Sequence, residues 1–123
     1  LEDRDTRLWL GRFIGRLPAV GRLEPFRERP ALTPETIGRA SIETVLGDGW
    51  IPAHLETAFE SLATDLMGHV HNAFERAGDF RSIRLHGDLH PGNQLWRDGP
   101  FFVDLDDCRS GPAVHDLWMQ LAG

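Results

Sequence analysis

The chain has 123 residues and a formal charge of −6, and 41% of its residues are apolar. This length suits one domain or part of a larger one, and the apolar fraction excludes a disordered chain. The negative charge argues against a general nucleic-acid-binding surface, and no apolar run is long enough to span a membrane. We therefore expect a globular protein that binds neither nucleic acid nor membrane. We also expect a cytoplasmic location.

The residue usage has two unusual features. All 13 basic residues are arginine, so lysine is absent, and tyrosine is absent as well. The single cysteine, Cys108, excludes an internal disulfide, and we expect it to be a small, buried or half-buried residue.

The chain opens with a predicted helix. Apolar residues recur at helical spacing over residues 6–17, and Pro18 is expected to end this helix because proline lacks the backbone N–H. Residues 18–32 contain several prolines and glycines with arginine and glutamate between them. They predict a connection on the surface.

Two further helices follow. Thr33 is a predicted N-cap, with Pro34 at the first helical position, and this helix is expected to reach about Leu46. A longer amphipathic helix is predicted from about Pro52 to Arg76, with apolar residues three or four apart. His69 and His71 are two residues apart, so they do not share a helix face, and we do not expect a metal site there.

The pattern changes to short strands after the third helix. Residues 83–86 predict one strand, and residues 94–97 and 101–105 predict two more, joined as a hairpin by the turn residues 98–100. A final helix is predicted over about residues 113–121.

The chemistry is concentrated in this last third. Residues 86–93 read H-G-D-L-H-P-G-N, which matches the phosphoryl-transfer pattern H-x-D-L-x-x-x-N. Asp104 follows Asn93 by eleven residues at the end of a predicted strand, and six of the eleven aspartates lie between residues 86 and 116. Chance clustering in an aspartate-rich hairpin would not produce this agreement of loop, spacing and second aspartate.

Phosphoryl transfer explains why these residue types occur at these positions. It requires little covalent chemistry from the protein, but it requires positioning and charge neutralisation. Asp88 could orient the acceptor hydroxyl and take its proton. The side-chain oxygens of Asn93 and Asp104 could hold Mg²⁺, which prefers oxygen ligands, and the hairpin would bring these two residues together.

The motifs resemble those of the aminoglycoside phosphotransferase and choline kinase family. The likeness is carried by the stretches L-H-G-D-L-H-P-G-N, L-W-R-D-G-P, F-V-D-L-D-D and G-P-A-V with D-L-W. Within that family they are most similar to its bacterial Ser/Thr protein kinases. The resemblance implies a protein-kinase-like α+β fold, of which this chain is a mainly helical carboxy-terminal lobe with a catalytic-loop β-hairpin.

The resemblance also implies roles for individual residues. Asp88 and Asp104 would be catalytic, and Asn93 and Asp104 would bind the metal. Asp116 would hold the catalytic loop by hydrogen bonds, and His90 could donate a hydrogen bond to a phosphate. We interpret His86 as a packed, hydrogen-bonded residue that supports the loop. The two substrates that the resemblance implies are Mg²⁺-bound ATP and a protein Ser or Thr hydroxyl.

The same resemblance implies that the chain is a partial lobe. Its helical part would cover about residues 1–80, its catalytic loop and metal-binding hairpin about 83–110, and the start of the next helix about 113–121. The amino-terminal lobe of such kinases carries a lysine for the ATP phosphates, and this chain has no lysine. We expect that lobe to be absent, nucleotide binding by the 123 residues alone to be weak, and their uncovered apolar surface to favour self-association.

Three alternatives remain open. The same catalytic loop would serve a small-molecule kinase that acts on an aminoglycoside, choline or a sugar-like alcohol. A non-catalytic pseudokinase or interaction module would be expected to lack Asp88, Asn93 or Asp104, and all three are present. A metallophosphoesterase could use Asp88 and His90 as metal ligands, but the further ligand motifs of such enzymes are missing.

Overall fold

The computed structural model describes residues 3–121, which form two compact units. The first unit contains the described residues up to Ala31 together with those from Arg81 onward, and the second contains Leu32–Phe80. Helices and short antiparallel strands are both present, as the predicted α+β class requires. No helix within residues 3–121 combines the length and apolarity needed to cross a membrane.

The first unit carries two helices and four strands. Their bounds are α1 Arg4–Gly21, β1 Ile83–Leu85, β2 Gln94–Trp96, β3 Pro100–Phe102, β4 Arg109–Gly111 and α4 Val114–Trp118. The core of this unit contains Leu10 and Ile14 of α1 and Leu89, which is fully buried, with Leu17 and Phe102 packed against them. The apolar face of α1 therefore covers a residue of the predicted catalytic loop.

The prediction that Pro18 ends the first helix is wrong. The helix continues to Gly21, and the N–H of Arg22 donates to the Pro18 carbonyl at 3.1 Å. Gly21 lies so close to β1 that a Cβ would collide with the Arg84 carbonyl oxygen. Packing against the strand thus stabilises the last turn and outweighs the single hydrogen bond that a proline removes.

The strands form two separate antiparallel pairs. β1 pairs with β4, with Ile83 opposite Gly111, and β2 pairs with β3 in the predicted hairpin, with Gln94 opposite Phe102. The sequence pattern did not predict β4. It also extended the third strand to residue 105, whereas β3 ends at Phe102.

The second unit is helical. A π-helical turn over Pro34–Arg39 continues into α2 (Ala40–Gly47), and α3 spans Glu56–Ala77. Thr33 is the N-cap, as predicted, because its hydroxyl accepts the Thr36 N–H at 3.2 Å and its own N–H donates back to the Thr36 hydroxyl at 3.1 Å. Residues 52–55 form a turn, so α3 begins later than predicted. In the first unit α4 likewise covers only part of the predicted residues 113–121.

Candidate active site

The entry to the catalytic loop is held by a buried carboxylate. The N–H of His86 donates to Oδ2 of Asp116 at 2.9 Å, and the N–H of Gly87 donates to Oδ1 at 3.0 Å. Asp116 lies on α4 and is only 2% exposed. Hydrogen bonds to an ionised acceptor are the stronger kind, so one side chain fixes two successive residues of the loop.

The His86 ring joins the loop to the end of the hairpin. Its Nδ1 accepts the Asp88 N–H at 3.4 Å, so Nε2 carries the proton and donates to the Val103 carbonyl at 3.0 Å. The ring also meets Phe102 edge-on, with centroids 6.4 Å apart. Both ring nitrogens are engaged within the protein, which leaves neither of them for a substrate.

Asp88 and Asn93 face each other across the loop. The Asn93 side-chain amide donates to the Asp88 carbonyl at 2.9 Å and to Asp88 Oδ2 at 3.0 Å. Asn93 is buried, whereas about a third of the Asp88 side chain (31%) is exposed. These two bonds use both amide hydrogens of Asn93, so its Oδ1 is left as a hard oxygen donor.

His90 is directed towards the same carboxylate. Its Nδ1 accepts the Gly92 N–H at 2.9 Å, so the proton lies on Nε2, which is 3.5 Å from Asp88 Oδ2. The contact of His90 with a phosphate stays a prediction.

Asp104 follows the hairpin in an unusual backbone conformation. Val103 donates its N–H to the Asn93 carbonyl at 3.0 Å, which extends the β2–β3 pairing and places Asp104 one residue beyond this pair. Asp104 has a φ of 62°, and this left-handed conformation is why β3 stops short. Its side chain is exposed and contacts no described residue by a hydrogen bond or ion pair.

No group of three His, Cys, Asp or Glu side chains with metal-binding geometry occurs within residues 3–121. The predicted metal pair is one amide and one carboxylate, Asn93 and Asp104, so the metal role of this pair stays a prediction.

The comparison with known proteins decides the family. Residues 2–123 match the sequence model of the phosphotransferase enzyme family, APH. The chain belongs to the APH family. Membership agrees with the predicted protein-kinase-like α+β fold, and it leaves no support for the metallophosphoesterase alternative.

The relatives that this APH chain matches have kinase names. It is 45% identical over 119 residues to the protein named Stress response kinase A of Salmonella choleraesuis and to Serine/threonine protein kinase RdoA of Salmonella typhimurium. It is 43% identical over 114 residues to Stress response kinase A of Escherichia coli. Each match covers 93% of this chain and 34% of the relative, so the chain spans about a third of the length of these curated relatives.

Several residues at this APH site were missed by the sequence reasoning. The Nε2 of His115 contacts the Gly87 carbonyl at 3.0 Å, and the Gln120 amide donates to the Leu89 carbonyl while its oxygen accepts Gln94 Nε2 at 2.6 Å. Arg29, placed by the sequence in a solvated connection, donates to the carbonyls of Asp106 and Cys108. No periodicity or motif marks these residues, because their partners lie far along the chain.

Cys108 is half-buried, as expected. Burial raises the pKa of its thiol, so the thiolate is disfavoured at neutral pH. This agrees with a structural rather than a nucleophilic residue.

Proposed function

We propose that the protein containing this chain transfers the γ-phosphoryl group of ATP, with Mg²⁺, to Ser or Thr hydroxyls of protein substrates in the cytoplasm. The observation that carries the proposal is the double hydrogen bond from the Asn93 amide to Asp88, which fixes the base and leaves an oxygen donor beside it. Membership of a phosphotransferase family and the kinase names of the relatives support the same reaction.

Asp88 is the proposed proton acceptor. Its Oδ2 is held by Asn93 and faces His90, and the partial exposure of the side chain leaves room for an acceptor hydroxyl. A general base must approach the hydroxyl within hydrogen-bond distance, and a fixed carboxylate does so with little loss of conformational freedom.

Asn93 and Asp104 are the proposed Mg²⁺ ligands. Asn93 Oδ1 and the exposed Asp104 carboxylate are hard oxygen donors, and the Val103–Asn93 backbone bond brings their chain segments together. When bound, Mg²⁺ would neutralise charge on the ATP phosphates. The donor set fits this ion, because Mg²⁺ in kinase sites is held by one or two protein oxygens, phosphates and water.

We further propose that these residues supply the base and metal side of the reaction, as part of a carboxy-terminal lobe. A lysine that anchors the ATP phosphates in kinases is not among the 123 residues. The rest of the protein would provide that anchor, since the curated relatives are about three times longer than the matched stretch.

The test is a phosphoacceptor screen on the complete protein, with protein substrates and small alcohols supplied in parallel. Asp88→Asn should lower kcat by about 10²–10⁴-fold, the usual contribution of general acid–base catalysis. Asp98→Asn is the matched control, because Asp98 is an exposed turn residue at φ 54°, a conformation that Asn tolerates. If only small alcohols are phosphorylated, the protein is a small-molecule kinase and not a protein kinase. Full activity of Asp88→Asn would show that Asp88 is not the proton acceptor.

The 123 residues made alone should bind nucleotide weakly and should self-associate. Several large apolar side chains are about half or more exposed, among them Trp96, Phe101, Trp118 and Leu121. Exposed apolar surface of this kind favours association. Sedimentation velocity at increasing concentration should show growing species, and a monomer at every concentration would contradict this expectation.

A further inference from the structure

Two arginine side chains, Arg29 and Arg109, donate hydrogen bonds to the chain segment that follows Asp104. We propose that Arg29 and Arg109 form an arginine clamp on the carbonyls of residues 106–108, and that this clamp positions Asp104 for metal binding. The inference rests on the proposed function, because it takes Asp104 to be a Mg²⁺ ligand. Both arginines are positioning residues, since neither is placed against a substrate.

Three successive carbonyls are involved. Nη1 of Arg29 donates to the carbonyl of Asp106 and, at 3.1 Å, to that of Cys108. Nε of Arg109 donates to the intervening Asp107 carbonyl at 2.9 Å, and its Nη2 pairs with the Asp107 carboxylate at 2.6 Å. Successive carbonyls in an irregular segment have no regular backbone partners, so the guanidinium groups take the place of a sheet or helix.

The same segment also lies against the catalytic loop. Gly87 has a φ of 89°, and a Cβ there would collide with the Asp107 carbonyl oxygen. The Asp107 carbonyl is therefore in contact with the catalytic loop at Gly87 and with the Arg109 guanidinium at the same time. Because Asp88 follows Gly87 directly, this contact joins the clamped segment to the residue before the proposed base.

Arg29 is itself held in place. Its guanidinium lies 6.0 Å from the centre of the Phe26 ring, on which Arg84 also stacks at 5.7 Å. The next residue, Pro30, accepts the Ser110 N–H at 3.3 Å, and Ala31 forms a parallel bridge with Ser110 of β4. Arg29 thus extends from a segment that is paired with β4, so its backbone is fixed in place.

The clamp matters because Asp104 is in an unfavourable conformation. A non-glycine residue at φ 62° costs free energy unless its surroundings impose that conformation. The exposed Asp104 side chain forms no hydrogen bond or ion pair with a described residue that could impose it. The Val103–Asn93 backbone hydrogen bond holds the residue before Asp104, and the arginine contacts restrain the segment two to four residues after it.

The first experiment measures hydrogen exchange in the complete, metal-free protein. Arg29→Ala should accelerate exchange of the Cys108 N–H, which donates to the Leu105 carbonyl, by about tenfold. Peptides from α3 should be unchanged. Arg27→Ala is the matched control, an exposed arginine of the same segment without a contact to the described residues. Unchanged exchange in Arg29→Ala overturns the clamp.

The second experiment measures Mn²⁺ binding by electron paramagnetic resonance, with Mn²⁺ as the probe for the Mg²⁺ site. Arg29→Ala should raise the Mn²⁺ dissociation constant about five- to tenfold, Arg29→Lys should recover part of this loss because an ammonium group also has several donors, and Arg27→Ala should match the wild type. If Asp104→Asn weakens binding and Arg29→Ala does not, the positioning role is wrong. If Asp104→Asn binds Mn²⁺ as the wild type does, the proposed metal role itself is wrong.

Discussion

The catalytic loop and the helical second unit are stabilised in different ways. In the loop, several side-chain hydrogen bonds join residues far apart along the chain, such as Asp116 to His86 at 2.9 Å and His86 to Val103 at 3.0 Å. In the second unit they are mostly local, such as Ser41 to the Ile37 carbonyl at 3.0 Å, one helical turn away.

The burial of polar groups shows the same contrast. The buried polar side chains of the described residues are His86, Asn93 and Asp116, which all belong to the loop or hold it, whereas Leu32 and Ala63 are buried in the second unit. Each side-chain nitrogen or oxygen that is completely enclosed in the described part of the chain has a hydrogen-bond partner. A precisely positioned reactive loop therefore depends on hydrogen bonds between buried polar groups. A helix that packs through an apolar face does not need them.

Removing the buried carboxylate should have the largest effect on stability. Asp116→Ala leaves the N–H groups of His86 and Gly87 unpaired, and we expect a loss of about 4 kcal/mol in the free energy of unfolding. Asp65→Ala, at an exposed position of α3, should change it by less than about 0.5 kcal/mol. Urea unfolding measures both. Similar losses in the free energy of unfolding for the two variants would contradict the difference described between the loop and the second unit.

The apolar anchor of the loop should come next. Leu89 is fully buried against α1, so Leu89→Ala should cost about 3 kcal/mol through lost burial and the cavity left behind. Leu66 on α3 is 57% exposed, and Leu66→Ala should cost less than about 1 kcal/mol. Equal midpoints of the two variants in urea would show that Leu89 does not anchor the loop.

The same substitution at two glycines should have opposite signs. Gly87→Ala should destabilise by about 1–3 kcal/mol, because Gly87 has positive φ and no room for a Cβ. Gly68→Ala, inside α3 with open space around it, should stabilise by about 0.5–1 kcal/mol. Thermal melts distinguish these outcomes, and stabilisation by Gly87→Ala would contradict the close approach of the Asp107 carbonyl.

The smallest effect concerns a pH-dependent contact of the second unit. Backbone hydrogen bonding lowers the pKa of Glu35 below its usual 4.5, and the Thr33 side chain and His71, whose Nε2 lies 3.5 Å from Oε1, lower it further. A lowered folded-state pKa contributes stability above the unfolded pKa, and this contribution disappears as the pH falls through the folded value. Glu35→Gln should therefore melt slightly below the wild type at about pH 6, and this gap should shrink as the pH falls below 4.5 and through the lowered pKa. Glu60→Gln, at an exposed position of α3, should show no such change, and a constant gap for Glu35→Gln would contradict the assignment.

The sequence was informative where structure or chemistry is local. Periodicity predicted the first helix and the long third one, and the Thr33–Pro34 signal predicted the helix between them, with an N-cap that the structure confirms. Turn residues predicted the β2–β3 hairpin. The spacing of Asp88, Asn93 and Asp104 gave the candidate site, because catalytic-loop chemistry requires particular residues at fixed separations.

The tertiary structure decided the features that depend on distant partners. The last turn of α1 forms beside Arg84 despite Pro18, and β4 exists because β1 lies next to it. The contacts of Arg29 with residues 106 and 108 join segments nearly eighty positions apart, which no local pattern encodes. The amino-acid sequence sets which chemical groups are available for the proposed phosphoryl transfer. Packing and buried hydrogen bonds decided where those groups are held, because both depend on segments that meet only in the folded chain.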